Sequence, residues 1–188
     1  MRVVSGIYKG RRFDVPHSFK ARPTTDFAKE NLFNILSNLI DFDNQIQALD
    51  LFSGTGSISL ELVSRGCDQV VSVEKDRDHY AFICKVIKEL GCHTCLPLKA
   101  DVFKYINYCT QQFDLIFADP PYALPNLVSL PDLIINNQLL KGNGLFILEH
   151  GKNYQFERHP NFIQHRCYGA VNFSFFKPTI IAKETSVG

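Results

Sequence analysis

One tetrapeptide, Asp119-Pro120-Pro121-Tyr122, combines residue types that could hold a weakly nucleophilic amine. The amino group on a nucleobase attacks poorly because its lone pair is delocalised into the ring. The carboxylate of Asp119 and the carbonyl of Pro120 can accept its two hydrogens, and the two prolines fix the backbone so that little ordering is needed during reaction. Tyr122 can stack on the flat face of an unpaired base. A rigid loop without chemistry is the alternative, and the tetrapeptide alone leaves it open.

A glycine-containing turn lies upstream, in Leu49-Asp50-Leu51-Phe52-Ser53-Gly54-Thr55-Gly56-Ser57. Glycines between a strand and a helix let the backbone approach a ligand, and the helix N-terminus favours a negative group. A dinucleotide fingerprint would have a third glycine where Ser59 stands. Asp50 would repel a pyrophosphate, but it could accept a hydrogen bond from an amino group. The turn therefore favours a ligand with both an ammonium and a carboxylate, such as the methionine end of S-adenosylmethionine.

Acidic residues also follow the next two predicted strands. Glu74 ends the second strand and can accept both hydroxyls of a ribose, and Asp101 follows the third, where it could reach an adenine amine. Taken singly, these features could be an ordinary turn and a solvated strand end. Their order after three successive strands favours a nucleoside site. The predicted cofactor-binding residues are Asp50, Phe52, Ser53, Gly54, Gly56, Glu74, Lys75, Asp101, Val102 and Asp119.

An alternation of apolar strands and helices must position these residues. The pattern predicts strands at 46–51, 70–73, 94–98, 113–118 and 144–148, and helices at 25–40, 57–65, 78–90, 102–109 and 127–137. Such alternation is typical of a parallel sheet covered on both faces. Two last strands, 162–168 and 171–177, are separated only by Gly169-Ala170, which can close a hairpin but cannot hold a crossover helix. We therefore predict an α/β, Rossmann-like sheet, mostly parallel, with a terminal antiparallel strand.

The N-terminal segment is basic and is predicted to form a small β-hairpin at 1–15, followed by a linker to residue 23. Residues 1–30 carry seven Lys/Arg against three Asp/Glu, a balance of +4, so the rest of the chain carries −3. Lys9 and Arg11 would share one face of a strand. Phosphate binding and a merely solvated face explain this pattern equally well. The candidate RNA-binding residues are Arg2, Lys9, Arg11, Arg12 and Arg22.

Length and composition limit the remaining possibilities. The 188 residues suit one catalytic domain, predicted at 24–182, with the 1–23 extension and a flexible tail at 183–188. A net charge of +1 excludes a uniformly basic nucleic-acid binder. Neither a membrane span nor a secretion signal is recognisable, so we expect a cytoplasmic protein, and a monomer. Six irregularly spaced cysteines indicate buried thiols, and Cys92 and Cys95 lack the second pair that zinc requires, so no metal is expected.

At these residues the chain resembles the bacterial 16S ribosomal RNA guanine-N2 methyltransferases of the small-subunit methyltransferase D family, within the amino-methyltransferases with an Asp/Asn-Pro-Pro-aromatic motif. The matching stretches are Arg2-Val3-Val4-Ser5-Gly6 with Lys9-Gly10-Arg11-Arg12, Arg22-Pro23-Thr24-Thr25-Asp26 with Lys29-Glu30-Asn31-Leu32-Phe33-Asn34, residues 49–56, and the Asp119 tetrapeptide. Ser57 stands where many relatives have a small apolar residue, and Tyr122 where several have Phe.

The resemblance implies S-adenosylmethionine as the methyl donor and one guanine of 16S ribosomal RNA, in a hairpin loop near the P site, as the acceptor. It also implies that the substrate is an already assembled small ribosomal subunit. Four other functions share part of the pattern: methylation of DNA adenine or cytosine, methylation of a protein glutamine, NAD-dependent oxidation, and RNA binding without catalysis. Ser59 and the tetrapeptide argue against the oxidoreductase, and the chain has little room for the target-recognition domain of a DNA enzyme.

Overall fold

Strands and helices alternate along the chain in the computed structural model, which describes residues 1–19 and 25–179. The strands are β1 (Gln47–Leu51), β2 (Gln69–Glu74), β3 (Cys95–Lys99), β4 (Phe113–Ala118), β5 (Leu140–His150), β6 (Phe162–Tyr168) and β7 (Val171–Phe176). The helices are α1 (Asp26–Leu39), α2 (Ser57–Ser64), α3 (Arg77–Leu90), α4 (Val102–Tyr108) and α5 (Leu130–Asn136). All of the predicted elements from residue 25 to residue 177 are present, with shifts of a few residues at their ends.

The strands form one sheet in the order β3-β2-β1-β4-β5-β7-β6. The first five strands pair in parallel, whereas β7 is antiparallel to both β5 and β6. This confirms the predicted mostly parallel sheet with an antiparallel end. The strand order reverses between β1 and β4, and ligands of such sheets bind at the carboxyl ends of the strands beside that reversal. The glycine turn follows β1, and the Asp119 tetrapeptide follows β4.

Polar side chains define where the helices begin. Thr25, Asp76 and Asp101 precede α1, α3 and α4, and each accepts hydrogen bonds from backbone amides of the first turn. Gly91, with a φ of 62°, ends α3 in the left-handed conformation that favours glycine. These short-range signals explain why the predicted helix starts agree closely with the observed ones.

The fifth strand is longer than predicted. It begins at Leu140, which pairs with Phe113, and a register shift follows before Leu115 pairs with Leu145. The prediction began the strand at Gly144 and so left out the polar, glycine-containing stretch before it. The predicted helix at 127–137 is divided into a short 3-10 turn, Leu127–Ser129, and α5.

The N-terminal segment turns back on itself, but within residues 1–19 it forms a single antiparallel bridge, between Arg2 and Arg12, and no full strands. Lys9 lies in the turn, and its amide donates to the carbonyl of Gly6. The prediction that Lys9 and Arg11 share a strand face is therefore wrong, because the turn takes up more residues than the pattern suggested. The predicted tail at 183–188 lies outside the described residues.

The core has one layer on each face of the sheet. Leu32, Leu62 and Ile83, from α1, α2 and α3, belong to one layer, and Ile106 and Ile134, from α4 and α5, belong to the other. Helices on both faces bury the central strands, which is why these strands are almost continuously apolar, whereas the edge strands β3 and β6 are partly exposed. Within the described part of the chain, no helix has the length and apolar character needed to cross a membrane.

Candidate active site

A cavity of about 1050 Å3 opens at the carboxyl ends of the parallel strands. Among its lining residues are nine of the ten predicted cofactor-binding residues and the whole catalytic tetrapeptide: Asp50, Phe52, Ser53, Gly54, Glu74, Lys75, Asp101, Val102, Asp119, Pro120, Pro121 and Tyr122. The two motifs, far apart in sequence, therefore face the same space. Of the predicted set, Gly56 does not line the cavity.

The two glycines of the turn have different structural roles. A Cβ built on Gly54 would meet only the carbonyl oxygen of Phe52, at 3.9 Å, so this residue leaves room for a ligand. A Cβ on Gly56 would lie 3.0 Å from Cγ1 of Ile83 in α3. The argument for close backbone approach to a ligand therefore applies to Gly54, whereas Gly56, with a φ of 75°, allows α2 to pack against α3.

Asp50 is buried at the end of β1, where Ser59 holds its carboxylate. Oδ2 accepts hydrogen bonds from the Ser59 amide, at 3.0 Å, and from the Ser59 hydroxyl. Burial raises the pKa of Asp50 to about 7, and the Ser59 hydrogen bonds oppose that shift. Sequence analysis used Ser59 only to argue against a dinucleotide. Ser59 follows Asp50 by nine residues, on the far side of the glycine turn, and nothing in the sequence pattern predicts that the two side chains meet.

Glu74 is held from two sides by the backbone. Its Oε2 accepts from the Gly54 amide and its Oε1 from the Asp76 amide, both at 2.7 Å. A carboxylate has about four acceptor positions, so these two bonds orient the group and leave capacity for two hydroxyls of a ligand. The geometry is compatible with the predicted role in binding a ribose.

Asp101 has structural partners that sequence analysis did not anticipate. Its Oδ1 accepts from the amides of Phe103 and Lys104, at 3.1 and 3.3 Å, and thereby caps α4. Its Oδ2 accepts from Nζ of Lys75 at 3.0 Å, and this hydrogen bond is the main reason that the pKa of Asp101 is lowered. A bound adenine would have to share this carboxylate with Lys75.

An aromatic pair lies beside Asp101. The rings of Phe52 and Phe103 meet edge to face, with centroids 6.3 Å apart, and both residues line the cavity. Phe52 has a φ of 60°, which is uncommon for a side chain of this size and is most often maintained at functional positions. Sequence analysis missed Phe103, although its place directly after Asp101 and Val102 is a usable signal.

The catalytic tetrapeptide is supported from several directions. The Asp119 amide donates to the carbonyl of Leu51 at 3.3 Å, which joins the loop to the end of β1. The hydroxyl of Tyr154 donates to the Tyr122 carbonyl at 2.9 Å, and the Tyr122 hydroxyl donates to Oε1 of Glu149 at 3.4 Å. Burial raises the pKa of Asp119 to about 7. The loop thus presents a carboxylate and an aromatic ring to the cavity.

A buried lysine links the cavity wall to the N-terminal segment. Lys29 of α1 has 1% of its surface exposed, and its Nζ donates to Oγ of Ser57, at 3.1 Å, and to the carbonyl of Arg2. Burial lowers the pKa of Lys29, and the Glu61 carboxylate, 3.7 Å away, opposes this. Ser57 lines the cavity, so the hydrogen bond ties α1 to the first turn of α2.

The N-terminal segment is firmly bound to α2. Glu61 accepts from the amides of Val4 and Ser5, at 2.8 and 3.0 Å. Gly6 packs so closely that an added Cβ would lie 1.7 Å from the carbonyl oxygen of Ser64. Only glycine fits there, which explains its position in the segment.

The predicted RNA-binding residues differ in their availability. Arg2 forms ion pairs with Asp26 and Glu30, both at 3.0 Å, and Arg11 pairs with Glu89 at 3.4 Å. These two arginines already form ion pairs with carboxylates, so they are less available to bind phosphate.

Lys9 and Arg12 are exposed on the N-terminal segment, and Arg22 lies outside the described residues.

The six cysteines are free thiols. Cys67, Cys92 and Cys95 are buried as expected, but Cys167 is exposed. Within residues 1–19 and 25–179, no group of three or more His, Cys, Asp or Glu side chains is arranged to hold a metal ion.

Comparison with known proteins gives a consistent family. Residues 1–177 match the family model described as conserved hypothetical protein 95. Ribosomal RNA small subunit methyltransferase D of Buchnera aphidicola subsp. Baizongia pistaciae is 30% identical over 149 residues, which cover 79% of this chain and 75% of that protein. The putative rRNA methyltransferase YlbH of Bacillus subtilis is 32% identical over 160 residues, covering 82% and 85% of the two chains.

A solved structure, the putative methyltransferase yhhF from Escherichia coli, superposes with a TM-score of 0.82 at 25% identity, covering 95% of this chain and 97% of the other. This agreement extends over nearly the whole chain, and it confirms both the predicted fold and the predicted family. The chain belongs to the conserved hypothetical protein 95 family, the family of ribosomal RNA small subunit methyltransferase D.

Proposed function

We propose that this protein transfers a methyl group from S-adenosylmethionine to the N2 amine of a guanine in 16S ribosomal RNA, within the assembled small ribosomal subunit. The observation that carries the proposal is the shared cavity that joins the Gly54 turn and Glu74 to the Asp119 tetrapeptide. Its volume, about 1050 Å3, accommodates a nucleoside cofactor and a base side by side.

The residues on the β1–β3 side fit S-adenosylmethionine. Gly54 leaves open space, Glu74 is oriented to accept ribose hydroxyls, and Phe52 and Phe103 offer an apolar wall for the adenine. Asp50 can attract the ammonium group of the methionine end, either directly or by its charge. When bound, the cofactor supplies an electrophilic methyl group on a positively charged sulfur.

Asp119 and Pro120 act on the acceptor. The Asp119 carboxylate and the Pro120 carbonyl accept the two amine hydrogens and favour a pyramidal nitrogen, whose lone pair then bonds to the methyl carbon. S-adenosylmethionine would supply that methyl group and would keep the electron pair of the broken carbon–sulfur bond, so that the sulfur would become neutral. The methylated amine is briefly cationic and strongly acidic, so its proton can pass to Asp119 or to water after transfer. Asp119 is therefore an orienting group and needs no unusual basicity.

The N-terminal segment supplies a surface for RNA. We propose that residues 1–23 are an RNA-binding extension of a catalytic domain at 24–182, and that Lys9 and Arg12 contact phosphates. The extension is bound to α2 through Glu61 and Gly6, so it would hold the RNA in a fixed relation to the cavity. The nature of the substrate implies a cytoplasmic protein, and one chain contains all the residues invoked, as a monomer requires.

The decisive experiment removes the gene and maps which position of the ribosomal RNA loses its methyl group. Purified protein should restore that methyl on small subunits isolated from the deletion strain, with labelled S-adenosylmethionine as donor. Free 16S RNA should be a much poorer substrate. Calorimetry should detect binding of S-adenosylmethionine and none of NAD. An unchanged methylation map in the deletion strain would contradict the proposal.

A further inference from the structure

Glu149, near the end of β5, lies beside the catalytic tetrapeptide. Leu148 of β5 pairs with Ala118 of β4 in parallel register, so the next residues along, Glu149 and Asp119, are neighbours. Phe117 and Ile147, each two residues earlier, belong to the same core layer, and side chains two apart in a strand point to the same face. Both carboxylates line the cavity, and Glu149 has only 4% of its surface exposed.

The position of Glu149 is coupled to that of the stacking aromatic. The Tyr122 hydroxyl donates to Oε1 of Glu149 at 3.4 Å, while the backbone of Tyr122 is held by Tyr154. A carboxylate has about four lone-pair positions, so it can accept from Tyr122 and from a base edge at the same time. A base stacked on Tyr122 with its amine at Asp119 would thus have its adjoining ring edge near a second acceptor.

The chemistry of the amino bases gives that second acceptor a purpose. In guanine two ring nitrogens flank the amine: N1 carries a hydrogen and is a donor, whereas N3 has a lone pair. In adenine and cytosine the ring nitrogen beside the amine has a lone pair and is an acceptor. A carboxylate accepts hydrogen bonds and donates none when ionised, so it attracts the first arrangement and repels the other two.

We propose that Glu149 accepts the N1 hydrogen of the target guanine and thereby selects guanine over the other amino bases, while Asp119 and Pro120 orient the N2 amine. This inference rests on the proposed function and assigns its base specificity to one residue. A site built to accept a hydrogen discriminates strongly, because a base without that hydrogen brings a ring lone pair against the carboxylate oxygens.

The test replaces the target guanine with 2-aminopurine, which keeps the 2-amino group but has an acceptor at N1. Small subunits would be reconstituted with 16S RNA ligated from segments that carry either base at the position mapped in the deletion strain. Single-turnover methylation would be measured at saturating S-adenosylmethionine for the wild type, Glu149→Gln and Glu149→Asp. Glu157→Gln, on the exposed loop after β5, is the matched control.

We expect the wild type and Glu157→Gln to methylate guanine about 10- to 100-fold faster than 2-aminopurine. This is the range for one strong hydrogen bond to a carboxylate. Glu149→Gln should slow methylation of guanine and reduce the ratio of the guanine rate to the 2-aminopurine rate by at least about fivefold. The reason is that its amide can turn an N–H toward the N1 acceptor of 2-aminopurine. Glu149→Asp should slow methylation of both bases but keep the preference for guanine, since the carboxyl group remains. Affinity for S-adenosylmethionine and melting temperature, measured on each variant, report whether the fold is intact.

Two results would overturn the inference, and they are distinguishable. If Glu149→Gln slows both bases equally, Glu149 serves only to hold Tyr122, and the proposed function is untouched. If wild-type protein methylates neither particle, the proposed function itself fails. Should Glu149→Gln not fold, a guanine preference in Glu149→Asp weaker than about twofold would be the contradicting result.

Discussion

On the cofactor side of the cavity, Glu74 and Asp101 are held by backbone amides, whereas on the base side the Tyr122 ring and the Glu149 carboxylate are held largely by other side chains. Backbone amides at strand ends and helix starts are fixed by the fold, so the cofactor carboxylates are oriented before any ligand arrives. The base side instead depends on a proline-containing loop, on Tyr154 and on the long hydrogen bond between Tyr122 and Glu149.

This difference suits the two ligands. A small, freely diffusing cofactor gains affinity from a preorganised site, because little conformational entropy is lost on binding. A base presented by a large RNA must leave its stack and enter the cavity, and a side-chain wall can adjust to it. Substitutions on the cofactor side should therefore change affinity for S-adenosylmethionine, and those on the base side should change the rate of transfer.

The largest effect is expected for Asp119. Replacement by Ala removes a preorganised acceptor and should slow single-turnover methylation by about 100-fold, whereas Asn keeps an acceptor oxygen and should retain measurable turnover. Affinity for S-adenosylmethionine, measured by calorimetry, should change little in either variant. An Asn variant as inactive as Ala, with binding intact, would show that Asp119 abstracts a proton.

Substitution of Glu74 tests the cofactor side of the cavity. Glu74→Ala removes both the predicted ribose acceptor and the partner of the Gly54 amide, so S-adenosylmethionine should bind about 10- to 100-fold more weakly. The rate at saturating cofactor should remain close to that of the wild type. Asp68→Ala, just before the other end of β2, is the control and should leave affinity unchanged. A reduced rate at saturation would mean that the two sides are not separable.

The pH profile should identify the titration of Asp119. Its raised pKa of about 7 means that the carboxyl is protonated at lower pH and has less acceptor capacity there. At saturating cofactor, the methylation rate should level off above about pH 7 and should fall below it toward the rate of the Asp119→Asn variant. The Asp119→Asn variant should lack this step. If the step persists in Asn, the titrating group lies elsewhere, and Asp50, with a similar pKa, is the next residue to test.

The smallest effect concerns the N-terminal segment. Replacing Lys9 and Arg12 by Ala should weaken binding of small subunits and reduce the log–log salt slope by about 0.7 to 0.9 for each phosphate that these side chains neutralise. Arg11→Ala should change the slope less, because Arg11 is paired with Glu89. Equal slopes in all variants and the wild type would restrict the segment to a structural role.

The parts of the molecule that sequence could predict are those governed by short-range signals. Apolar strands followed by glycine or acidic residues located Gly54, Glu74 and Asp119 at one edge of the sheet, and the residues after β1 to β4 proved to share a cavity. Parallel strands bring their carboxyl ends together whatever lies between them, so this inference needs no knowledge of side-chain packing.

The parts that could not be predicted depend on interactions between distant segments. Lys29 sits in a helix where a lysine would ordinarily be exposed, and its burial depends on Ser57, Glu61 and the backbone of Arg2. Glu149 was missed although it follows the same rule as Asp119, because only the observed register places it beside the tetrapeptide.

The buried Lys29–Glu61 pair also has a consequence for how the chain folds while it is being synthesised. Lys29 leaves the ribosome 32 residues ahead of Glu61, which at usual elongation rates is an interval of about 2 to 6 s. Until α2 has emerged, α1 carries an ammonium on the face that it must bury, and the first residues lack the surface that Gly6 packs against. The first residues must therefore remain solvated and undocked during that interval, which exposes them to chaperones and proteases until α2 has formed.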